Sequence, residues 1–160
     1  MAKEYTDIYG QKWAVDCLGC LPKDDPKLRA LQPIWSDEHF VLHPDITAPI
    51  PGLVILETRR HVRTVLDFNE AEEAAYNGLE KKIRKALKDA LGLDSFVTYQ
   101  HDSSSHFHRC FLPYYPWMNQ FDDAGEHLAD VLDYSRQRMK NEEVFRQLEE
   151  ANQKLKEVLK

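Results

Sequence analysis

His106-Phe107-His108-Arg109-Cys110-Phe111-Leu112-Pro113 is the stretch on which the reading of this chain turns. It is short and mostly apolar, and Pro113 and Pro116 end it, so a last core strand is expected over 106–111. Side chains alternate across a strand. His106, His108 and Cys110 therefore share one face, while Phe107 and Phe111 face the opposite side with Arg109 between them. An imidazole is nucleophilic at neutral pH and its phosphoryl adduct hydrolyses readily, provided a backbone carbonyl holds the proton on the other nitrogen. Asp102-Ser103-Ser104-Ser105 lies directly upstream and offers hydroxyls and backbone N–H groups where phosphate oxygens need donors. His-x-His alone is short and common, and the same pair serves equally well as surface or packing residues.

Working outward, Phe96-Val97-Thr98-Tyr99 reads as another strand, and before it the clearest helix spans about Glu70 to Leu91. Asn69 is its N-cap and Glu72 completes a capping box. Ala71, Ala75, Leu79, Ile83 and Leu87 form one apolar stripe, Lys81, Lys82, Arg84 and Lys88 face water, and Gly92 supplies the stop. Leu53-Val54-Ile55-Leu56 is a buried strand, preceded by a loop confined by Pro44, Pro49 and Pro51. Ile34-Trp35 and His39 to Leu42 form a strand pair around a turn at 36–38. Beyond Asn119 the composition turns helical, with one helix over Asp123 to Met139 and a second after the N-cap Asn141 that buries Val144, Leu148, Leu155 and Leu159. The expectation is an α+β domain, an antiparallel sheet with one long helix packed on it. It divides into residues 1–118 and a helical C-terminal extension, 119–160. The extension's apolar stripe fits a dimer contact, a partner helix or packing on its own chain.

Residues 1–33 hold Cys17-Leu-Gly-Cys20 and a loop with Pro22, Pro26 and Pro33. Three cysteines, two of them as Cys-x-x-Cys, argue against a disulfide framework. A redox pair normally opens a helix after a strand, and Pro22 with Asp24-Asp25 fits that poorly; a redox protein would also require a reducible disulfide and no bound metal. Half of a structural Cys₂His₂ zinc site fits better, with two histidines drawn from the seven present. His61, after Arg59-Arg60, and His106 are the choices made here, with His39, His43 and His101 as alternatives and His127 placed in a solvated helix. The net charge of -6 and the absence of a basic block argue against a general nucleic-acid binder, while leaving room for a small phosphate ligand. The polar, charged stretch from Met1 to Asp7 and the lack of a long apolar run point to no membrane partner and a cytoplasmic protein.

Taken together, these residues resemble the histidine triad superfamily, which includes dinucleoside polyphosphate hydrolases, nucleoside phosphoramidases and galactose-1-phosphate uridylyltransferases. The family's His-φ-His-φ-His-φ-φ motif is matched by 106–112. Asp45-Ile46-Thr47, the apolar strand and Arg59-Arg60-His61 resemble its upstream Asp-Ile-Ser, strand, Lys-Lys-His segment, with the long helix between the two blocks. The likeness covers roughly residues 13 to 118 and is specific in combination.

The resemblance implies that His108 is the nucleophile, forming a nucleotidyl-histidine. It implies that Asp45 accepts hydrogen bonds from ribose hydroxyls, that Ser103 and Ser105, with Ser104, hold the α-phosphate, and that Gln100 stands near it. It assigns the zinc ligands of the uridylyltransferase branch to Cys17, Cys20, His61 and His106, and it makes a homodimer the default. Cys110 departs from it by standing in the place of the third histidine. A thiol donates weakly, and losing a donor at a charged transition state costs on the order of 3 kcal/mol, about a hundredfold in rate. Arg109 is a second departure, implying that its face is solvated or meets the C-terminal extension. The leading expectation is a nucleotide hydrolase or transferase; the rival is a nucleotide-binding or adaptor module with little turnover.

Overall fold

The computed structural model describes residues 2–23 and 25–160; Met1 and Asp24 lie outside them. The chain opens with a hairpin of β1 (Lys3–Thr6) and β2 (Lys12–Val15), an element without a clear sequence signal. Its turn is built on Asp7, whose buried carboxylate accepts Tyr9 N and Gln11 N at 2.9 Å each and Trp13 Nε1 at 3.3 Å. Ile8 N donates to Ile46 O at 2.7 Å, which docks the hairpin on the main domain.

The main sheet comprises β3 (Trp35–Ser36), β4 (Phe40–Pro44), β5 (Val54–Thr58), β6 (Phe96–Tyr99) and β7 (His108–Pro113). All pairings are antiparallel, in the order β3-β4-β5-β7-β6. Register pairs His43 with Ile55, Ile55 with Cys110, Glu57 with His108 and Tyr99 with Cys110. Directly opposed residues share a face. One face thus carries His43, Ile55, Glu57, His108, Cys110 and Tyr99. The other carries Phe40, Leu42, Val54, Leu56 and Phe111, buried against Leu79, Ile83, Ala86 and Leu87. Each such side chain contributes about 1.5–3 kcal/mol by leaving water, so this layer dominates the core.

The expected single helix is two, α1 (Glu70–Tyr76) and α2 (Leu79–Leu91). The Asn69–Glu72 capping box forms as read, with both bonds at 2.9 Å, and Gly92 terminates α2 in the left-handed region. The break falls at Asn77-Gly78, where Gly78 adopts φ +89° and turns the chain. The stripe therefore fails only at Ala71, which is exposed; Ala75 packs partly buried against the core, and the fully buried residue of α1 is Glu72, held by Arg60 at 2.6 Å.

At the C-terminal end, α3 (Leu128–Arg138) starts five residues later than expected, because Asp123 caps a turn at Gly125 and Glu126 instead of opening the helix. Asn141 caps α4 (Glu142–Val158) as read. The apolar stripe of α4 is covered by its own chain: Leu155 and Leu159 join the sheet–α2 core, and Leu148 joins the cluster under the hairpin. Val131 of α3 packs with Ala48, Ile50, Leu53, Leu112 and Met118. Arg109 is partly exposed, and its side-chain partners lie on α2 and β6 instead of on the extension. It lies 3.3 Å from Glu80 Oε2 and donates to Thr98 Oγ1 at 3.2 Å. Among the described residues no helix is long and apolar enough to cross a membrane.

Candidate active site and metal centre

Cys17 and Cys20 converge because a single 3₁₀ turn, Leu18–Cys20, separates them, with Cys20 N donating to Cys17 O at 3.3 Å. Two histidines meet them from elsewhere. Cys17 Sγ lies 3.6 Å from His61 Nδ1 and 3.4 Å from His106 Nδ1; Cys20 Sγ lies 3.0 and 3.6 Å from the same atoms. All four ligand atoms fall within 4.8 Å of one another. A tetrahedral ion bound at about 2.3 Å to sulfur and 2.0–2.1 Å to nitrogen holds such atoms about 3.6 Å apart, so the set is able to hold a metal ion.

The surroundings favour that use. His106 Nε2 is 2.8 Å from Thr58 O and 3.2 Å from Thr58 Oγ1. A carbonyl oxygen only accepts, so the proton sits on Nε2 and the Nδ1 lone pair faces the sulfurs. Burial lowers the His106 pKa and keeps the ring neutral. Burial and the neighbouring Cys17 sulfur push the Cys20 thiol up to about 11, so two thiolates side by side require a cation. Gly19 packs on the His106 ring so closely that a Cβ there would fall 2.3 Å from Cγ. Cys17, Cys20 and Cys110 are free thiols.

Beside this cluster lies a cleft of about 240 Å³. Its walls are Tyr5 of the hairpin, Leu18 and Gly19 of the cysteine turn, and Asp45, Ile46 and Thr47 after β4. Ile55 and Glu57 of β5, Ser104 and Ser105, and the rings of His106 and His108 complete it. His108 Nδ1 lies 3.1 Å from His106 O, which fixes the proton there and leaves Nε2 with no hydrogen-bond partner among the described residues. Asp45 Oδ1 accepts Thr47 N at 2.7 Å, Thr47 Oγ1 at 3.0 Å and Ala48 N at 2.8 Å, so one carboxylate oxygen organises its own turn.

Lys23 and Glu57 were not singled out from sequence, and His43, an alternative metal ligand there, joins them instead of the cysteines. Lys23 Nζ donates to Leu18 O at 2.8 Å and lies 2.9 Å from Glu57 Oε2. His43 Nε2 lies 3.1 Å from the same oxygen. All three side chains are buried. Burial alone would raise the Glu57 carboxyl, but His43 and Lys23 outweigh it and hold the group below the usual carboxylate range. A glutamate within an apolar strand was the available signal.

The remaining expected residues are placed as follows. His106 precedes β7 instead of opening it; Phe107 N donates to Val62 O at 2.6 Å, and this bond replaces strand pairing. Ser104 and Ser105 line the cleft, whereas Ser103 is exposed and is not part of its wall. Gln100 Nε2 donates to Asp102 Oδ1 at 2.6 Å, away from the wall. Cys110 is 2% exposed, does not line the cleft, and is paired across the strands with Tyr99. Burial, with the Asp45 charge, pushes its thiol well above the usual range and disfavours the thiolate. Arg59 Nε donates to Asp37 O at 2.7 Å and Arg60 binds Glu72, so both arginines are structural. His127 is exposed and lies 3.3 Å from Asp130, as expected of a solvated helix residue.

The fold is that of the histidine triad proteins. A zinc-bound histidine triad family protein from Mycobacterium smegmatis superposes with a TM-score of 0.58 and 19% identity over 90% of this chain and 93% of that one. A HIT family member from Bacillus subtilis gives 0.55 and 19% over 77% and 96%. A HIT-like protein from Bartonella henselae, described as involved in cell-cycle regulation, gives 0.54 and 19% over 79% and 85%. No protein-family model and no curated protein matches the sequence.

Proposed function

We propose that this chain, which carries the histidine triad fold, is a nucleotide hydrolase or nucleotidyl transferase. It acts at the α-phosphate of a nucleoside phosphoramidate or dinucleoside polyphosphate. The observation that carries the reading is the His108 ring: a carbonyl holds Nδ1–H, and the opposite nitrogen is left with a free lone pair on a ring that lines the cleft. In the first step Nε2 bonds to phosphorus as the bond to the second group breaks. In the second, water or an acceptor displaces the imidazole.

The other assignments follow from position. Ser104 and Ser105, with backbone N–H groups of their loop, hold the phosphate oxygens; Ser103 and Gln100 shape that loop from outside. Asp45, with one oxygen committed to its own turn, offers the other to ribose hydroxyls. Cys17, Cys20, His61 and His106 hold a zinc ion whose part is structural, because four protein ligands leave no position for water. The zinc-bound Mycobacterium smegmatis structure supports the choice of metal. The ion ties the cysteine turn to His106 and so shapes the wall on which His108 stands. The reading includes a homodimer, measurable as mass by analytical ultracentrifugation.

A second reading, a nucleotide-binding or adaptor module, draws on the withdrawal of Cys110 into the core. Adenosine phosphoramidate and diadenosine polyphosphates separate the two. Turnover by the wild type that His108→Ala abolishes is the expected result; nucleotide binding without turnover in either protein would favour the module.

A further inference from the structure

His108 has a nucleophilic nitrogen, but the position two residues on, where the strand would supply a proton donor, holds a buried thiol paired across the strands with Tyr99. A leaving group with a basic oxygen or nitrogen still needs a proton. The neighbouring strand offers the source. β6 pairs Tyr99 with Cys110, and the same antiparallel register continued two residues past the end of β6 brings His101 opposite His108. The rings confirm the placement: their centroids lie 6.3 Å apart at an interplanar angle of 33°.

His101 is also anchored. Its ring meets Tyr99 edge-on at 6.0 Å, and its carbonyl accepts Ser104 N at 3.0 Å, which joins it to the serine loop by one turn. The residue is solvent-exposed. A near-attack contact takes about 3–3.5 Å on one side of phosphorus and a hydrogen bond about 2.6–3.2 Å on the leaving-atom side. With the bond between phosphorus and the leaving atom added, these contacts span about 7–8 Å between the two nitrogens. His101 stands beside the cleft wall, its ring centroid 6.3 Å from that of His108, and an exposed ring at a loop turn has room to swing outward to that span.

We infer that His101 is a catalytic residue of this site, the general acid–base that serves the leaving group; this rests on the reading of His108 as nucleophile. As Nε2 of His108 bonds to phosphorus, the bond to the leaving atom breaks and that atom takes the proton of the His101 imidazolium. The neutral His101 then accepts a proton from water as the water oxygen bonds to phosphorus and the bond to His108 breaks. Both rings return to their starting states. The site's second working histidine therefore comes from the loop that follows the neighbouring strand, not from the next position of the same strand.

Leaving-group dependence tests this. The phenyl and 4-nitrophenyl esters of adenosine 5′-monophosphate have nearly the same shape. Phenolate is about as basic as a tyrosine side chain (about 10) and needs a proton, while 4-nitrophenolate departs without one. In kcat/KM, which ends at leaving-group release, His101→Gln and His101→Ala should lower phenyl ester turnover by about a hundredfold or more and leave the 4-nitrophenyl ester within a few-fold. Equal losses on both esters, or none, would overturn the inference while leaving His108 in place. A wild type inactive on both would overturn the nucleophile reading and this one with it.

Discussion

His106 and His108 are the same residue two positions apart, and the fold gives them opposite chemistry. In His106 the Thr58 carbonyl holds the proton on Nε2 and turns Nδ1 toward two sulfurs. In His108 the His106 carbonyl holds the proton on Nδ1 and leaves Nε2 with no hydrogen-bond partner among the described residues. Under the proposed function, one ring serves as a ligand and the other as a nucleophile. The difference lies in which nitrogen a backbone oxygen happens to face, a second partner that neither imidazole carries itself.

The largest expected effect separates the two rings. His108→Gln should reduce turnover by about a thousandfold or more with metal content and thermal stability unchanged. His106→Gln should instead lose the metal. Holding the ion at 100 times its dissociation constant is worth about 2.7 kcal/mol, so metal loss should lower Tm by about 5–10 °C. Equal metal loss in both variants would erase the distinction.

Next comes Glu57, which pairs with His108 across the strands and, through Lys23, with the cysteine turn. Lys23→Met leaves that carboxylate buried with one cation fewer and should cost about 3 kcal/mol in urea unfolding. The pH dependence has a definite sign. Glu57 sits below its usual range in the fold. Its contribution is therefore complete above an unfolded value of about 4.3 and is lost as pH falls through and beneath that point. Glu57→Gln should accordingly flatten the acid limb of the stability profile.

Gly19→Ala acts on His106 alone. The added Cβ overlaps the ring, and metal affinity, read by competition with a chelator, should fall about 10- to 100-fold while the His108 ring keeps its carbonyl. Thr58→Val is the mildest change. It removes the hydroxyl 3.2 Å from His106 Nε2 but not the carbonyl, so affinity should change less than tenfold. A larger loss would mean that the hydroxyl, not the carbonyl, selects the tautomer.

Much of this was legible in the chain because it depends on local rules. Alternation placed His106, His108 and Cys110 against Phe107 and Phe111, the Asn69–Glu72 box marked a helix start, and ligand chemistry singled out Cys17 and Cys20. The helix break at Gly78 is also local, but one glycine in a periodic stripe looks tolerable until the chain has to turn. The Asp7 hairpin lacked a standard turn dipeptide, and its partner, Ile46, lies 38 positions from Ile8.

By itself the sequence determined which residue types stand in which order, and so the strand, the helix face and the presence of a four-ligand set. Only the tertiary structure decided what each of them does. It buried Cys110 under Tyr99, brought Lys23 and His43 to Glu57, set His101 opposite His108 and chose a tautomer for each imidazole. The reason is physical. Periodicity is a property of neighbours along the chain, whereas desolvation, cross-strand register and the carbonyl that fixes a proton come from segments tens of residues away.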